Sequence, residues 1–184
     1  MNREEALKLL DNKIKNKNLI KHSLAVEAVM RALANHFGKD EEIWGLAGLL
    51  HDYDYEQTAE NWTKHGIETE EELKDYGLPQ EIFEIIKAHN SDALKTERKT
   101  TAEKAIFAVD PLTGLITACA LMNPEKKIKN LELSSVMKKY KNLKFAAGAN
   151  REFIKTCADI GLTLEEFIAI SLKAMQSIST DLGL

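Results

Sequence analysis

Residues 49–54 read Leu49-Leu50-His51-Asp52-Tyr53-Asp54, an apolar run with helical spacing that ends in a histidine and an aspartate side by side. Neighbouring side chains on a helix lie about 100° apart, so His51 and Asp52 can reach one ion only at the helix end, where the backbone can turn. His22 lies well upstream and Asp110 well downstream, each in an apolar segment. Imidazole and carboxylate groups together suit a divalent cation. The stretch therefore predicts helices arranged around a buried metal site.

Apolar residues recur at helical spacing along nearly the whole chain, and no segment alternates with the period of two that a strand shows. The expected helix signals are, in chain order, Gly38 as a stop, Asp40 as an N-cap, Gly77 as a stop, Pro79 as a start, Thr100 with Glu103 as a capping box, Gly161 as a stop and Thr163 with Glu166 as a capping box. The two boxes predict helices near 101–122 and 164–181. We predict an all-α fold, a single domain over residues 1–184 with a bundle of about eight helices.

Asp110 stands immediately before Pro111 in an otherwise helical stretch, Ala105 to Val109. Proline lacks an N–H and clashes with the carbonyl four residues back, here that of Phe107, so we expect the helix to kink or restart at this point. A kink would re-aim the Asp110 carboxylate towards the site. The alternative is that Asp110 only caps a new helix that begins at Pro111.

The composition is that of an ordinary soluble globular protein, with 44% hydrophobic residues, 29% charged residues and a net charge of -4. Binding to a nucleic-acid backbone relies on clustered Lys and Arg, so this balance argues against a nucleic-acid polymer as partner. Charges interrupt every apolar run before the roughly 20 residues of a membrane helix, and the N-terminus lacks a signal peptide. We therefore expect no membrane partner and a cytoplasmic location.

Two other features of the composition point to ordinary structural roles. The Lys-rich segments Asn12 to Lys21 and Lys126 to Lys129 are expected to be solvated loops, with phosphate binding by either as the alternative. Cys119 and Cys157 stand singly in apolar helical contexts, so we expect buried thiols without a catalytic role.

His22, then His51-Asp52 at the end of a Gly-Leu-Leu helix, then Asp110 inside a later apolar helix, follow one another in an order that resembles the HD superfamily of metal-dependent phosphohydrolases. The resemblance covers about residues 18–122, the core of the metal site, and leaves helices at 131–184 to complete the fold. It implies that these four side chains hold one metal ion, with His51 and Asp52 as the catalytic pair.

Two further histidines resemble the extra ligands of the dinuclear, HDIG-like branch of that superfamily. His65 lies in His65-Gly66-Ile67-Glu68 at the start of a helix, and His89 lies at the end of the next one. By that resemblance Asp52 bridges to a second ion held by His65 and His89. The alternative is that these two are a helix-capping histidine and a surface histidine.

The sequence also departs from that branch. After the His-Asp pair it reads Tyr53-Asp54-Tyr55-Glu56, so the lysine that the branch commonly places near the substrate phosphate has no counterpart. Asn90 follows His89 where cyclic-dinucleotide phosphodiesterases of the superfamily carry a second histidine, which disfavours that substrate class.

The resemblance implies a hydrolase that cleaves a phosphoester bond of a small nucleotide-like or phosphorylated metabolite through a metal-activated water. Imidazole and carboxylate ligands without thiolate suit one or two divalent ions among Mn²⁺, Fe²⁺, Co²⁺, Ni²⁺ and Mg²⁺. Two alternatives stay open: a di-iron oxygenase with the same six ligands, and a non-catalytic metal-binding module. The sequence does not indicate an oligomeric state.

Basic side chains are the expected contacts of the substrate phosphate, because a guanidinium binds phosphate in bidentate fashion. The candidates are Lys95, Arg98 and Lys99 in the polar loop before Asp110, and Arg151 at a helix start. Asp54 and Glu56, just past the His-Asp pair, either orient water and support the ligands or are loop carboxylates.

Overall fold

The computed structural model describes all residues, 1–184, and contains α-helices and 3-10 helices but no strand. The α-helices are Arg3–Lys13 (α1), Lys17–His36 (α2), Glu41–Leu50 (α3), Tyr55–Thr58 (α4), Ile67–Leu73 (α5), Gln80–His89 (α6), Ser91–Leu94 (α7), Thr101–Met122 (α8), Leu133–Tyr140 (α9), Arg151–Lys155 (α10), Leu164–Ser177 (α11) and Ser179–Leu182 (α12). Lys74–Tyr76 and Thr156–Ile160 are 3-10 helices. The all-α prediction is confirmed, and the predicted count of about eight matches the helices longer than five residues.

The long helix α8 lies at the centre of the bundle, packed against α2, α6, α9, α10 and α11. Helix α2 packs in turn on α3 and α11, and α3 packs on α6. One cluster of 48 buried hydrophobic residues fills the space between them. It includes Leu10 of α1 and Phe167 of α11, both fully buried, so the C-terminal helices share one core with the helices that surround α8.

Local capping chemistry fixes several helix ends where the sequence predicts them. Asp40 caps α3, and Thr163 forms a capping box with Glu166 at the start of α11. Thr100 caps α8 by accepting the Glu103 N–H at 3.2 Å. The chain leaves three helical segments through Gly38, Gly77 and Gly161, all at positive φ. The predicted helix at 164–181 is instead two helices, α11 and α12, separated at Ile178.

Pro111 does not interrupt α8. The helix runs continuously from Thr101 to Met122 with Pro111 inside it, so the expected restart and the alternative of a capping Asp110 are both wrong. Val109 and Leu112, on either side of the Asp110–Pro111 bond, are fully buried. Burial along this helix outweighs the roughly 3 kcal/mol that an internal proline costs.

Helix α8 also corrects the expectation about apolar runs. By length and composition alone, Thr101–Met122 could cross a membrane, with 61% of the most apolar window buried inside the fold. Asp110 is the one charged residue in the last 18 residues of this helix, so the expectation that charges exclude every run of this length is wrong. The core helix of a globular protein passes the same test, and α8 occupies that position here.

Gly48 brings α3 into close contact with α2. A Cβ atom at Gly48 would lie 3.0 Å from Glu27 Cα, closer than an ordinary van der Waals contact. His51 follows one turn later, and its ring meets that of His22 on α2 edge to face, with 5.1 Å between the ring centroids. The close helix contact therefore places two of the predicted ligands beside each other.

Candidate metal centre

Six side chains from five parts of the chain converge beside α8. They are His22 from α2, His51 and Asp52 from the turn after α3, His65 from the turn before α5, His89 from the end of α6 and Asp110 from α8. These are the six residues that the sequence predicts, and the structure brings all of them together.

Asp52 lies at the centre of this cluster. Its Oδ2 is 3.4 Å from His51 Nε2 and 3.7 Å from His22 Nε2. Its Oδ1 is 3.2 Å from His65 Nε2 and 3.7 Å from His89 Nε2. Each carboxylate oxygen faces a different pair of imidazoles, an arrangement in which one carboxylate can bridge two cations.

The donor atoms form two groups that share Asp52. In each group the donors lie within 4.8 Å of one another: the groups are His22, His51 and Asp52, and Asp52, His65 and His89. Asp110 adds an oxygen to the first group, since its Oδ1 is 3.0 Å from His22 Nε2. Nitrogen and carboxylate oxygen donors without thiolate are compatible with several first-row divalent metals, and this donor set does not select one metal among them.

His51 provides the test of whether a cation fits. Its ring is fully buried, and its Nε2 has no hydrogen-bond partner in the protein. A buried polar atom left unpaired costs about 1–3 kcal/mol. Because His51 Nδ1 donates to the Gly48 carbonyl at 2.8 Å, Nε2 holds the free lone pair, and that lone pair lies beside Asp52. A divalent cation is the partner that this nitrogen lacks, so the residues fit a metal.

The other histidines are oriented in the same way, through Nδ1. The acceptors for Nδ1–H are the Thr113 hydroxyl for His22, the Asp54 carboxylate for His65 and the Ile86 carbonyl for His89. The Thr113 hydroxyl donates its own proton to the Asp110 carbonyl at 2.9 Å, which leaves its oxygen free to accept. With Nδ1 engaged, each ring presents Nε2 to the cluster, the arrangement usual for metal-binding histidines.

Asp54 holds His65 from the side opposite Asp52. It is fully buried, and its Oδ1 accepts from His65 Nδ1 at 2.7 Å. Its Oδ2 accepts the backbone N–H groups of Gly66 at 2.8 Å and Thr69 at 3.0 Å. Gly66 has a φ of 86°, which glycine adopts without strain. Of the two interpretations of Asp54, the structure favours the supporting one.

The two histidines nearest Asp52 Oδ1 have opposite pKa shifts. Burial alone would lower the pKa of His65, but its hydrogen bonds to Asp52 and Asp54 outweigh burial and raise that pKa to about 9. Burial, together with the nearby His51 and His65, lowers the pKa of His89 to about 4. Burial would raise the pKa of Asp52, yet the surrounding imidazoles hold it well below its ordinary value. In the metal-free protein at neutral pH, His65 is therefore protonated, whereas Asp52 is ionised and His89 is neutral.

The cluster opens into a cleft of about 390 Å³. Beyond the ligand side chains, its walls are formed by Leu19, Tyr55, Trp62, Asn90 and Phe153. Trp62 is 46% exposed, and its ring meets those of Tyr55 and His65 edge to face at 5.7 and 5.2 Å. None of these wall residues is among those predicted from the sequence, although a tryptophan in the polar segment between two predicted ligands was a usable signal.

The predicted phosphate contacts do not line this cleft. The Arg98 guanidinium stacks on Phe107, 3.6 Å from the ring centroid, and donates to Ser91 and Asp92. Lys95 and Lys99 are exposed in the segment before α8. Glu56 is also exposed and lies outside the cleft wall, where it accepts the backbone N–H groups of Lys15 and Asn16.

Arg151 has a structural position instead. It is buried, and its guanidinium donates to main-chain carbonyls without a carboxylate partner. The carbonyls belong to Tyr140, Asn142, Phe145, Ala146 and Ala149. Arg151 therefore fixes the connection between α9 and α10, which we call the 140–149 loop.

Comparison with protein families places this geometry in a known group. The family model described as HD domain matches residues 19–115, more than half of the chain and a range that contains all six clustered side chains. The chain belongs to the HD domain family. The resemblance that the order of histidines and aspartates predicts is therefore confirmed.

Curated relatives of this HD domain are named Ribonuclease Y. The protein from Desulfotalea psychrophila is 29% identical over 124 residues, which are 67% of this chain and 23% of the relative. Those from Thermosipho melanesiensis and Clostridium perfringens are 29% and 28% identical, each over 73% of this chain and 26% of the relative. The chain thus spans about a quarter of the length of these relatives. No solved structure matches the chain.

These relatives correct the prediction about partners of the HD domain. A small phosphorylated substrate without any nucleic-acid polymer was expected from the acidic net charge, yet a ribonuclease acts, by its name, on RNA. Net charge failed as a guide because it averages over the whole surface and does not report local charge. The exclusion of a membrane partner is wrong as well, since it depended on the absence of a run such as α8.

Proposed function

We propose that this protein is a metal-dependent phosphohydrolase that cleaves phosphodiester bonds in RNA. The observation that carries the proposal is the pair of donor groups that share Asp52 at the base of a cleft with aromatic walls. The name of the relatives supports RNA as the substrate in place of a small metabolite.

Divalent ions held by the two groups would lower the pKa of a water molecule towards about 7 and hold the attacking and leaving oxygens of the phosphodiester in line. The protein's part is positioning. Asp52 joins the two groups, while Thr113 and Asp54 keep His22 and His65 in the orientation that binding requires. Leu19 and Phe153 add apolar surface to the walls of the cleft.

The charge of the ligand set makes activity dependent on metal. Asp52 and Asp110 are carboxylates with lowered pKa values, so they are ionised at neutral pH, whereas His89 is neutral. Without cations, these carboxylates disfavour a phosphodiester beside them, and the imidazolium of His65 offsets their charge only in part. A chelator should therefore abolish cleavage, and added divalent metal should restore it.

Metal analysis combined with a cleavage assay tests the proposal. We expect the metal-loaded protein to cleave a labelled single-stranded RNA and the synthetic diester bis(p-nitrophenyl) phosphate. Asp52→Ala should lose both metal and cleavage, because Asp52 belongs to both donor groups. Asp75→Asn, an exposed change in a 3-10 helix, is the matched control and should keep both. Metal-loaded protein that cleaves neither substrate contradicts the proposal.

The same assay separates the alternatives that the sequence leaves open. Cleavage with Mn²⁺ or Mg²⁺ under anaerobic conditions excludes an oxygenase, whereas iron-specific occupancy with oxygen uptake supports one. Bound metal without turnover of any substrate indicates a non-catalytic module. Unchanged metal content in Asp52→Ala would mean that the metal binds outside the proposed site.

A further inference from the structure

Three cavities continue from the catalytic cleft along α8. The first, of about 310 Å³, shares His22 and Asp110 with the cleft and is also lined by Gly114. The second, of about 400 Å³, shares His22 and Gly114 with the first. The third, of about 490 Å³, shares Gly183 and Leu184 with the second. Because successive cavities share lining residues, they lie side by side from the metal centre to the loop after α8, and we call this surface the side groove.

Basic residues line the two cavities of the side groove that lie farther from the metal centre. Lys21 lines the second cavity, and Lys127 and Lys129 line the third; all three side chains are exposed and none forms an ion pair. The Lys21 ammonium group lies across Gly183, where a Cβ atom would be 2.9 Å from its Nζ. The only acidic side chain in the walls is Asp110, at the metal centre. The two Lys-rich segments of the sequence therefore supply cations to one groove.

The loop that carries Lys127 and Lys129 is held in place. Gln176 of α11 donates from its amide nitrogen to the carbonyls of Ile128 at 3.1 Å and Leu131 at 3.0 Å. Ile128 itself is fully buried between the two lysines. Since the backbone is anchored on both sides, the two ammonium groups are presented to the groove by a fixed segment.

A row of unpaired ammonium groups that continues from a phosphodiester site suits a ligand with phosphates at regular intervals. Single-stranded nucleic acid has that spacing, and neutralising its phosphates is the main source of affinity. The groove also exposes apolar surface, since Leu121 is 50% exposed in the second cavity. A mononucleotide, by contrast, reaches only the catalytic cleft.

We propose that the side groove binds the single-stranded RNA chain on one side of the scissile phosphate, with Lys21, Lys127 and Lys129 contacting its phosphates. This rests on the proposed hydrolase function and extends it, because the substrate is then an oligonucleotide of several residues. It would also explain how a protein of net negative charge binds a polyanion, because three unpaired lysines line the groove.

Binding measured without catalysis tests the groove directly. The anisotropy of a fluorescent oligouridine is followed in EDTA for the wild type and for the triple variant Lys21→Ala, Lys127→Ala, Lys129→Ala. Each lost phosphate contact reduces the salt slope for a single strand by about 0.7, so the triple variant should lose about 2. The exposed lysines Lys8, Lys39 and Lys74, outside the groove and without ion pairs, form the matched control triple. That control should bind like the wild type.

The dependence of cleavage on RNA length tests whether RNA bound in the groove reaches the metal centre. For the wild type, kcat/KM should rise with RNA length, and the ratio between a long strand and a dinucleotide should fall by about tenfold or more in the triple variant. The double variant Lys127→Ala, Lys129→Ala leaves the neighbourhood of His22 intact and should show part of the same loss.

The proposal is overturned if the groove variant and the control triple bind oligouridine equally. It is also overturned if inorganic polyphosphate competes as strongly per phosphate as RNA, which would assign the groove to phosphate chains in general. If the metal-loaded wild type binds oligouridine but cleaves no substrate, the proposed hydrolase function is contradicted and RNA binding by the groove is not.

Discussion

His65 is the residue on which the two-metal arrangement depends, because it is held by carboxylates on both sides. Asp54 accepts from its Nδ1 at 2.7 Å, and Asp52 lies 3.2 Å from its Nε2. In the metal-free protein this environment favours the imidazolium, whereas a metal needs the neutral ring. Metal binding at the second group must therefore displace a proton from a site that stabilises it.

The raised pKa of His65 predicts how metal affinity depends on pH. The pKa of His65 rises from 6.5 to about 9 on folding, so its imidazolium stabilises the metal-free fold below about pH 6.5, and that contribution is lost as pH rises through about 9. Affinity of the second donor group for metal should rise by about tenfold per pH unit in this range and level off above it. Competition with a chromogenic chelator measures it.

Asp54→Asn is the informative control for that measurement. Without the carboxylate the pKa of His65 falls, so the region of pH-dependent affinity should move to lower pH. An affinity that stays constant between about pH 6.5 and 9 would contradict the role given to His65.

Trp62 is the second residue with a measurable consequence. The chain has two tryptophans, and Trp44 is 3% exposed while Trp62 is 46% exposed at the cleft. We predict that RNA quenches the fluorescence of Trp62 and that Trp62→Ala raises KM by about tenfold, since stacking of one base contributes about 1–3 kcal/mol. Trp62→Phe keeps an aromatic face and should retain most of the affinity. Equal KM values in both variants would exclude stacking.

The six clustered residues could be predicted because their order along the chain resembles that of a known family and because His51, Asp52 and His89 lie at helix ends. The phosphate contacts could not be predicted in the same way. Arg98 stacks on Phe107, and Arg151 donates to five carbonyls, only in the folded chain. Nothing in their local sequence distinguishes these two residues from solvated cations. Lys127 and Lys129 show the converse case, where an apparently ordinary loop lies at the end of the groove.

At the scale of elements, the contact between α2 and α3 determines the geometry of the site. We predict that Gly48→Ala destabilises the fold by about 1–3 kcal/mol, because its Cβ would press on the Glu27 backbone and separate the helices. Gly114→Ala, with no atom within 4 Å of the new Cβ, should instead stabilise α8 by up to about 1 kcal/mol. Urea unfolding of both variants provides the comparison, and a Gly48→Ala protein as stable as Gly114→Ala would contradict it.

Helix existence could be read from the sequence more reliably than helix continuity. Capping residues such as Asp40 and Thr163 act through bonds to neighbours three residues away, so their effect is local and predictable. The effect of Pro111 depends on whether tertiary packing offsets the lost hydrogen bond. Burial of Val109 and Leu112 decides that question in favour of one continuous helix.

For the whole molecule, the two thiols report on the integrity of the shared core. Cys119 of α8 and Cys157 of the C-terminal part are 4% and 1% exposed, and burial raises the pKa of both, that of Cys119 to about 11. We predict that a thiol reagent at neutral pH labels neither residue in the folded protein and labels both upon unfolding in urea. Rapid labelling of Cys157 alone would mean that the C-terminal helices open independently of the rest.

The hydrogen bonds from Arg151 to the carbonyls of the 140–149 loop affect which substitutions the loop tolerates. Because the guanidinium donates to carbonyl oxygens, these contacts do not depend on which side chains the loop carries. Ala146, Gly148 and Ala149 border the cavity next to Asp110, and none of these three side chains takes part in those contacts. Of the three, Gly148 has no atom within 4 Å of an added Cβ, so we expect new ligand preferences to evolve or to be engineered at this position at small cost to the fold.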